Sequence, residues 1–160
     1  MHIRKSVKTD LETIKDIYNN AKLFMRANGN MNQWINGYPS DELILQDIAD
    51  GDSYLCLEDD EAQAVFVYKR SIDPTYLRID GQWLNDEEYG VIHRIASRGK
   101  IKGTGTFCLN YGLQQCPNLR IDTHADNRPM QNLLNKEGFT YCGIIYLENG
   151  DPRMAFHKKI

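Results

Sequence analysis

The sequence predicts a mixed α/β fold with a sheet of about seven strands and about four helices. One long stretch near the N-terminus repeats apolar residues at helical spacing. Shorter apolar or alternating runs, bounded by turn residues, are typical of strands. The two kinds of run alternate along the chain, which indicates a sheet packed against helices. The length of 160 residues corresponds to a single domain spanning residues 1–160.

In the first half of the chain, polar residues mark the ends of the predicted helices. Thr9 and Glu12 form a predicted capping box for a helix that ends near Arg26. Ser40 is the predicted N-cap of a second, short helix that ends at Gly51. The predicted strands are Ile3 to Val7, Ser53 to Glu58 and Ala62 to Lys69, with a hairpin turn at Asp59-Asp60-Glu61.

The second half begins with residues 71–88, which contain turn signals but are too apolar for a free loop. We therefore expect an ordered excursion that packs on the body of the protein. Asn149-Gly150 predicts a type I′ turn between the last two strands. The remaining predicted elements are strands at Val91 to Ser97, Leu119 to Thr123, Phe139 to Leu147 and Arg153 to Lys158, a helix at Phe107 to Cys116, and a helix capped by Asp126 or Asn127 that ends at Gly138.

Composition and charge argue against several classes of protein. Apolar content of 41% and charged content of 26% are those of a soluble globular protein, and a net charge of −3 argues against a nucleic-acid partner. No apolar run is long enough for a membrane span, and the N-terminus lacks a signal-peptide pattern, so we expect a cytoplasmic protein without a membrane partner. The cysteines lack C-x-x-C spacing, which favours small buried side chains over a metal site. They are Cys56, Cys108, Cys116 and Cys142.

The stretch from Arg98 to Thr106 is a basic, glycine-rich loop between a predicted buried strand and a predicted helix. Glycines let the backbone approach an oxyanion closely, and free N–H groups at a helix start point toward it. Arg98, Lys100 and Lys102 can neutralise phosphate charge. The loop is therefore predicted to hold the pyrophosphate of a cofactor.

Two common phosphate motifs fit this loop poorly. Gly99 and Gly103 lack the Lys-Ser/Thr pair that completes a Walker A motif. Gly103-Thr104-Gly105 begins a dinucleotide fingerprint, but Cys108 stands where its third glycine belongs. A nucleotide-binding protein is accordingly a distant alternative, which thermal shifts with ATP and NAD would detect.

Lys100-Ile101-Lys102-Gly103-Thr104-Gly105 resembles the [Gln/Arg]-x-x-Gly-x-[Gly/Ala] motif of the GNAT N-acetyltransferase superfamily, with Lys100 in place of Gln or Arg. Asn127 and the helix that leads into Gly138-Phe139 resemble the family's downstream asparagine and Leu-Tyr-x-x-x-Gly-Phe pattern. The element order is also similar to that of the family from end to end. The resemblance implies a mostly antiparallel sheet that splays between its fourth and fifth strands.

The resemblance also implies where acetyl-CoA, the co-substrate, binds. Backbone N–H groups from Ile101 to Thr106, including those of Lys102, Gly103, Thr104 and Gly105, would hold the pyrophosphate. The strand edge formed by Ile95, Ala96 and Ser97 would pair with the pantetheine amides. Asn127 would bond to the pantetheine arm. The implied function is direct acetyl transfer to a primary amine of a small molecule or peptide. Dimers are common in this family, so a homodimer is also an expectation.

The chemistry has one gap, because Leu134 occupies the position where many family members carry a tyrosine that protonates the leaving thiolate. His93 and His124 are the favoured catalytic candidates, ahead of Tyr141 and Glu88. The same gap motivates an alternative function, an acyl-CoA-binding domain with a regulatory or vestigial role.

Four aromatic residues occupy irregular segments that line the acceptor pocket in this family. Such a pocket suits an apolar or cationic amine. The four residues are Trp34, Tyr38, Tyr76 and Trp83.

Overall fold

A computed structural model describes residues 1–160 as one eight-stranded sheet with four α-helices. The strands are β1 (His2–Lys5), β2 (Ser53–Glu58), β3 (Glu61–Lys69), β4 (Asp80–Gly81), β5 (Gly90–Ser97), β6 (Asn118–Thr123), β7 (Thr140–Tyr146) and β8 (Pro152–Lys159). The helices are α1 (Leu11–Ala27), α2 (Asp41–Ala49), α3 (Thr104–Gln115) and α4 (Arg128–Lys136). The predicted mixed α/β class is confirmed.

The strands lie in the order β1-β2-β3-β5-β6-β8-β7-β4. All neighbouring pairs are antiparallel except β5 and β6, which run parallel. These two strands pair only where Gly90 faces Leu119 and Val91 faces Arg120, and they separate beyond that point. The sheet is therefore splayed between β5 and β6, which are the fourth and fifth of the predicted strands, as the resemblance implied.

Helices cover both faces of the sheet. On one face, α1 packs Ile14, Ile17 and Tyr18 against Val65 of β3 and Ala96 of β5. On the other face, a larger cluster joins α3 and α4 to the sheet through Cys108, Leu109, Leu113, Leu134, Phe66, Ile92, Ile121 and Phe156. The helices α1, α3 and α4 and the central strands thus bury apolar faces, which is what the helical and strand spacings require.

The excursion between β3 and β5 supplies the eighth strand, which the sequence did not predict. β4 contributes two residues that pair with β7, and a side chain at Gly81 would lie 2.1 Å from the carbonyl oxygen of Cys142. Only glycine allows the two backbones to approach this closely. The same excursion buries Tyr76 and Trp83 against Ile145 and Ala155 in a third apolar cluster.

Two local predictions were wrong. Thr9 does not cap α1: a short 3-10 turn precedes the helix, and Asp10 is its N-cap residue, with a carboxylate that accepts from the Val7 N–H at 2.7 Å. The β7–β8 hairpin is not type I′, because Gly150 has a positive φ but Asn149 does not. The Gly150 N–H bonds to the Leu147 carbonyl, so the loop is a type I turn followed by a glycine bulge.

His157 on β8 is fully buried and holds two hydrogen bonds that fix it as a neutral imidazole. Its Nε2 lies 2.7 Å from Asn118 Oδ1, and its Nδ1 accepts from the Leu84 N–H at 3.1 Å. Protonation of Nδ1 would break the second bond. Burial, together with the nearby charge of Arg120, lowers the pKa of His157 to about 4.

We expect this histidine to make the protein less stable in mild acid. The pKa of histidine in the unfolded chain is about 6.5. Below that pH, His157 binds a proton in the unfolded chain but not in the folded chain, so the free energy of unfolding falls as pH falls toward the pKa of the folded state. His157 should account for about 2 kcal/mol of loss between pH 7 and pH 5. Urea unfolding of wild type and His157→Gln at both pH values tests this. Equal losses in the two proteins would contradict it.

Candidate functional site

A cavity of about 730 Å³ opens where β5 and β6 separate. β5 contributes residues from Ile92 to Ile95, and β6 contributes Ile121, Asp122 and Thr123. Further lining residues come from the end of α1 and the loop after it, the first turn of α4 and the β7–β8 hairpin. The remaining ones are Leu43, Asp73, Thr75 and Arg153. The cavity is therefore a consequence of the splay, which leaves main-chain groups of β5 without a neighbouring strand.

A β-bulge shapes the β5 wall of the cavity. The register of β5 against β3 shifts between Val65 and Val67, and Arg94 has a φ of +48°, which a non-glycine residue rarely adopts. The bulge is held by a buried ion pair, since the Arg94 guanidinium donates to both Asp47 carboxylate oxygens at 2.7 to 3.0 Å. Strained residues held in this way often mark functional sites.

His93 lines the cavity and is oriented by a carboxylate. Its Nε2 lies 2.6 Å from Asp73 Oδ2. Burial alone would raise the pKa of Asp73, but its hydrogen bonds to His93 and Thr75 prevail and lower it to about 2. Because Asp73 is an anion, it accepts, and His93 Nε2 carries the proton. The other ring nitrogen, Nδ1, makes no hydrogen bond and lies 4.0 Å from Asp122 Oδ1, and Asp122 also lines the cavity.

The other predicted histidine lies outside the cavity lining. His124 Nδ1 accepts a hydrogen bond from the Asp126 N–H at 3.0 Å, which stabilises the turn before α4. Burial and the charge of Arg153 lower the pKa of His124. The structure thus brings His93, and not His124, to the cavity.

The Arg98–Thr106 loop presents a row of free donors. None of the N–H groups from Gly99 to Thr106 donates a hydrogen bond within the protein. Gly103 has a φ of +86°, and α3 begins immediately after it, three residues earlier than the sequence predicted. The first turn of α3 therefore includes Gly105 and points its N–H groups out of the helix start, the arrangement that binds phosphate.

The three cations of the loop are not equivalent. Arg98 is already engaged in the protein, since its guanidinium donates to Asp16 at 2.6 Å and to the Ala62 carbonyl at 2.8 Å, and its contact with phosphate stays a prediction. Lys100 lies 3.3 Å from Glu61 but is exposed. Lys102 has no protein partner among the ion pairs, so it is the cation most available to an anion.

Asn127 lies at the cavity edge and has two roles in the protein itself. Its Oδ1 accepts from the Met130 N–H at 3.2 Å and caps α4, as the sequence predicted. Its Nδ2 donates to Gln33 Oε1 at 3.0 Å, a contact that the sequence did not suggest. Arg26 in turn bonds to the Gln33 carbonyl. The cap of α4 is thereby connected to the loop that follows α1.

The predicted aromatic residues divide into two groups. Trp34 and Tyr38 line the cavity, and the Tyr38 hydroxyl accepts from Arg94 at 3.1 Å. The expectation that Tyr76 and Trp83 line a pocket is wrong. Tyr76 is 2% exposed and Trp83 is 9% exposed, and both belong to the core beneath the cavity. Tyr76 still acts on the site indirectly, since its hydroxyl donates to Asp122 at 2.5 Å.

Comparison with solved structures identifies the fold family. A GNAT-family acetyltransferase from Streptococcus agalactiae 2603 is 30% identical with a TM-score of 0.88, and the match covers 99% of this chain and 95% of that one. The chain belongs to the GNAT family. A proposed acetyltransferase from Staphylococcus aureus Mu50 is 27% identical with a TM-score of 0.72, covering 99% of each chain. A GNAT acetyltransferase from Listeria monocytogenes 4b F2365, 18% identical with a TM-score of 0.69, covers 99% of this chain and 94% of that one and shares the fold.

No family model and no curated protein matches the sequence, so the assignment to GNAT depends on the structural matches. The GNAT fold supports acyl-CoA-dependent acetyl transfer as the general activity. None of the helices has the length and apolar character needed to cross a membrane. No group of three or more histidine, cysteine or acidic side chains is arranged to hold a metal ion.

Leu134, which stands where the resemblance leads us to expect a tyrosine, is fully buried in the cluster between α4 and the sheet. A leucine there offers no proton to a leaving group. The two minor candidates do not replace it, because Tyr141 and Glu88 are absent from the cavity lining and Glu88 pairs with Arg70 at 2.9 Å. Thr123 also lines the cavity, but the residue is 1% exposed and its Oγ1 is enclosed without a hydrogen-bond partner.

Proposed function

We propose that this protein is an acetyl-CoA-dependent N-acetyltransferase that transfers acetyl directly from the thioester to a primary amine. The observation that carries the proposal is the His93–Asp73 pair, which lies in the cavity at the splay of a GNAT fold. Acetyl-CoA supplies an activated acetyl group with a thiolate as the leaving group. Transfer forms a C–N bond and breaks the C–S bond.

The residues present fit acetyl-CoA. The free N–H groups from Gly99 to Thr106 and the side chain of Lys102 suit its phosphates. The β5 edge from Ile95 to Ser97, unpaired on its β6 side, suits the amides of its pantetheine arm.

His93 is the proposed general base. Asp73 fixes the proton on Nε2, so Nδ1 is free to accept a proton from the amine. Asp122, 4.0 Å from Nδ1, provides a negative charge beside the incoming amine. A backbone N–H of the splayed β5 would stabilise the negative charge that develops on the carbonyl oxygen during transfer.

Measurement of both products tests the proposed function. Purified protein is incubated with acetyl-CoA and a broad panel of amines, free thiol is quantified, and N-acetyl products are identified by mass spectrometry. The proposal predicts one N-acetyl product per thiol released with at least one class of amine. Thiol release without an acetylated amine, or no release with any amine, would contradict it.

A non-catalytic acyl-CoA-binding role is the second candidate, favoured by Leu134 in place of a proton donor. It predicts tight binding of acetyl-CoA without turnover of any amine. The two functions therefore agree on binding and differ on products, and the same panel separates them.

The glycine at the start of α3 gives a binding prediction with a matched control. Gly103 and Gly29 have φ values of +86° and +79°, and neither has an atom within 4 Å of an added Cβ. Alanine at either position should therefore cost a similar amount of backbone strain, about 1–2 kcal/mol. Only Gly103→Ala changes the Arg98–Thr106 loop (the donor loop), so we expect a roughly tenfold weaker Kd for coenzyme A in that variant alone. Calorimetric titration of both variants measures this, and unchanged affinity in Gly103→Ala would contradict the site.

A further inference from the structure

Arg153 at the start of β8 is a buried cation without a counter-charge. It lines the cavity and is 9% exposed. Its one hydrogen bond goes from Nη1 to the carbonyl of the preceding residue, Pro152, at 2.8 Å. No carboxylate lies within 4.0 Å of its guanidinium. A buried charge in this state is costly unless a partner satisfies it.

The other enclosed arginines have partners within the protein. Arg94 has a bidentate bond to Asp47. Arg120 also lacks a carboxylate and its Nε has no hydrogen-bond partner, but its guanidinium lies 4.3 Å from the ring of Trp83 and 4.0 Å from that of Tyr89 and donates to the Asn85 carbonyl at 2.7 Å. Arg153 differs from both, because it has neither a carboxylate nor an aromatic ring against its guanidinium and it lines the cavity.

The position of Arg153 separates it from the phosphate-binding loop. Ala155 lies opposite Asp122 in the β6–β8 pairing, and Arg153, two residues away on the same strand, shares that face of the sheet. This is the face of His93 and Asp122. The α3 helix, which begins at the donor loop, packs on the opposite face. The pyrophosphate of the co-substrate therefore does not serve as the partner of Arg153.

Two carboxylates of the β7–β8 hairpin also line the cavity, but neither neutralises Arg153. Glu148 and Asp151 are exposed, and Asp151 Oδ2 accepts from the Asn149 amide at 3.1 Å. The charge of Arg153 instead acts on His124, whose pKa is lowered by burial and then by this guanidinium. No group of the protein therefore neutralises Arg153, and its guanidinium is available to a ligand in the cavity.

We propose that the amine acceptor is a small amino acid whose carboxylate binds Arg153. A guanidinium matches the two oxygens of a carboxylate in a planar, bidentate arrangement. The amine of the same molecule lies toward His93 and Asp122, which are on the same face and suit a positively charged or neutral nitrogen. Trp34 and Tyr38 border the space for its side chain. This assignment rests on the proposed acetyltransferase function and names its substrate class.

The test compares acceptors that differ in one group. Thiol release from acetyl-CoA is measured with a set of L-amino acids and with the carboxamides of the same amino acids. We expect kcat/KM to be at least ~30-fold higher for the carboxylates, the scale of a buried charged contact. Arg153→Gln should reduce that ratio to about threefold or less, and Arg153→Lys should retain part of it. Arg70→Gln, at an exposed arginine outside the cavity, should keep the wild-type ratio.

The outcomes separate this inference from the function on which it rests. Turnover of carboxamides, simple amines or peptides as fast as free amino acids, with the same ratio in Arg153→Gln, overturns the carboxylate site and leaves the acetyltransferase intact. No product with any amine, despite bound acetyl-CoA, overturns both. Melting temperatures of the Arg153 variants are measured alongside. If Arg153→Gln does not fold, the wild-type preference and its partial retention in Arg153→Lys still decide the question.

Discussion

His93→Ala should lower kcat by at least ~100-fold while the Kd for acetyl-CoA changes little. Proton transfer by a positioned base contributes about 10² to 10⁴ in rate. His93 lines the cavity, and Nδ1 is its proposed basic nitrogen because Nε2 is bonded to Asp73 at 2.6 Å. The groups predicted to bind the co-substrate lie elsewhere, on the donor loop and the β5 edge. Steady-state rates with a saturating acceptor and calorimetric titration of coenzyme A measure the two quantities.

Two further variants give this prediction its controls. Asp73→Asn should also lower kcat strongly, because an amide neither fixes the proton on Nε2 nor carries the charge that stabilises the protonated imidazole. His124→Ala should keep kcat within about threefold of wild type, since His124 is outside the cavity lining. A wild-type rate in His93→Ala, or a ~100-fold loss in His124→Ala, would show that the base is assigned to the wrong residue.

Asp47→Asn should lower the free energy of unfolding by about 3–5 kcal/mol, the usual cost of breaking a buried ion pair. The Asp47 and Arg94 side chains are 4% and 11% exposed, and three hydrogen bonds of 2.7 to 3.0 Å join them. Loss of the carboxylate leaves Arg94 charged and enclosed at the bulge of β5. Urea unfolding at neutral pH measures the effect.

The exposed pair between Glu88 and Arg70 is the matched control for Asp47. It is also bidentate, with hydrogen bonds of 3.0 and 2.9 Å, but its side chains are 68% and 50% exposed. Glu88→Gln should therefore change stability by no more than about 1 kcal/mol. Similar losses in Glu88→Gln and Asp47→Asn would contradict the argument that burial makes the Arg94 pair decisive for β5.

Local signals in the sequence predicted most of the fold. Ile14, Ile17 and Tyr18 recur at helical spacing and are buried in α1, and Ser40 caps α2 with a 3.1 Å bond to the Leu43 N–H. Gly103 was predicted as part of a phosphate loop, and it has the positive φ that only glycine adopts readily. Such features depend on residues a few positions apart, so the sequence contains the information that determines them.

The pairs of side chains in the candidate site could not be predicted in the same way. Asp73 and His93 are 20 residues apart, and Gln33 and Asn127 are 94 residues apart. Nothing in the local pattern indicates that the sheet brings these side chains together. Arg153 looked like the start of an ordinary strand. Its significance depends on burial and on the lack of a partner, which are properties of the folded chain.

The aromatic residues show the opposite error, in which a local pattern suggested a pocket and the fold formed a core. Tyr76 and Trp83 lie in an irregular segment, and irregular segments usually run over the surface. Here the segment pairs with β7 through Asp80–Gly81, which carries both rings into the sheet. Trp83 then donates to the Tyr76 carbonyl at 3.0 Å, so its polar group is satisfied inside the protein.

A crystal structure with acetyl-CoA tests the central claim most directly, because the claim assigns each part of the co-substrate to a particular place. We predict the pyrophosphate on the N–H groups between Ile101 and Thr106, the pantetheine amides along the β5 edge, and the acetyl group in the cavity beside His93. Coenzyme A bound outside the β5–β6 splay, or an acetyl group out of reach of His93 Nδ1, would contradict the account.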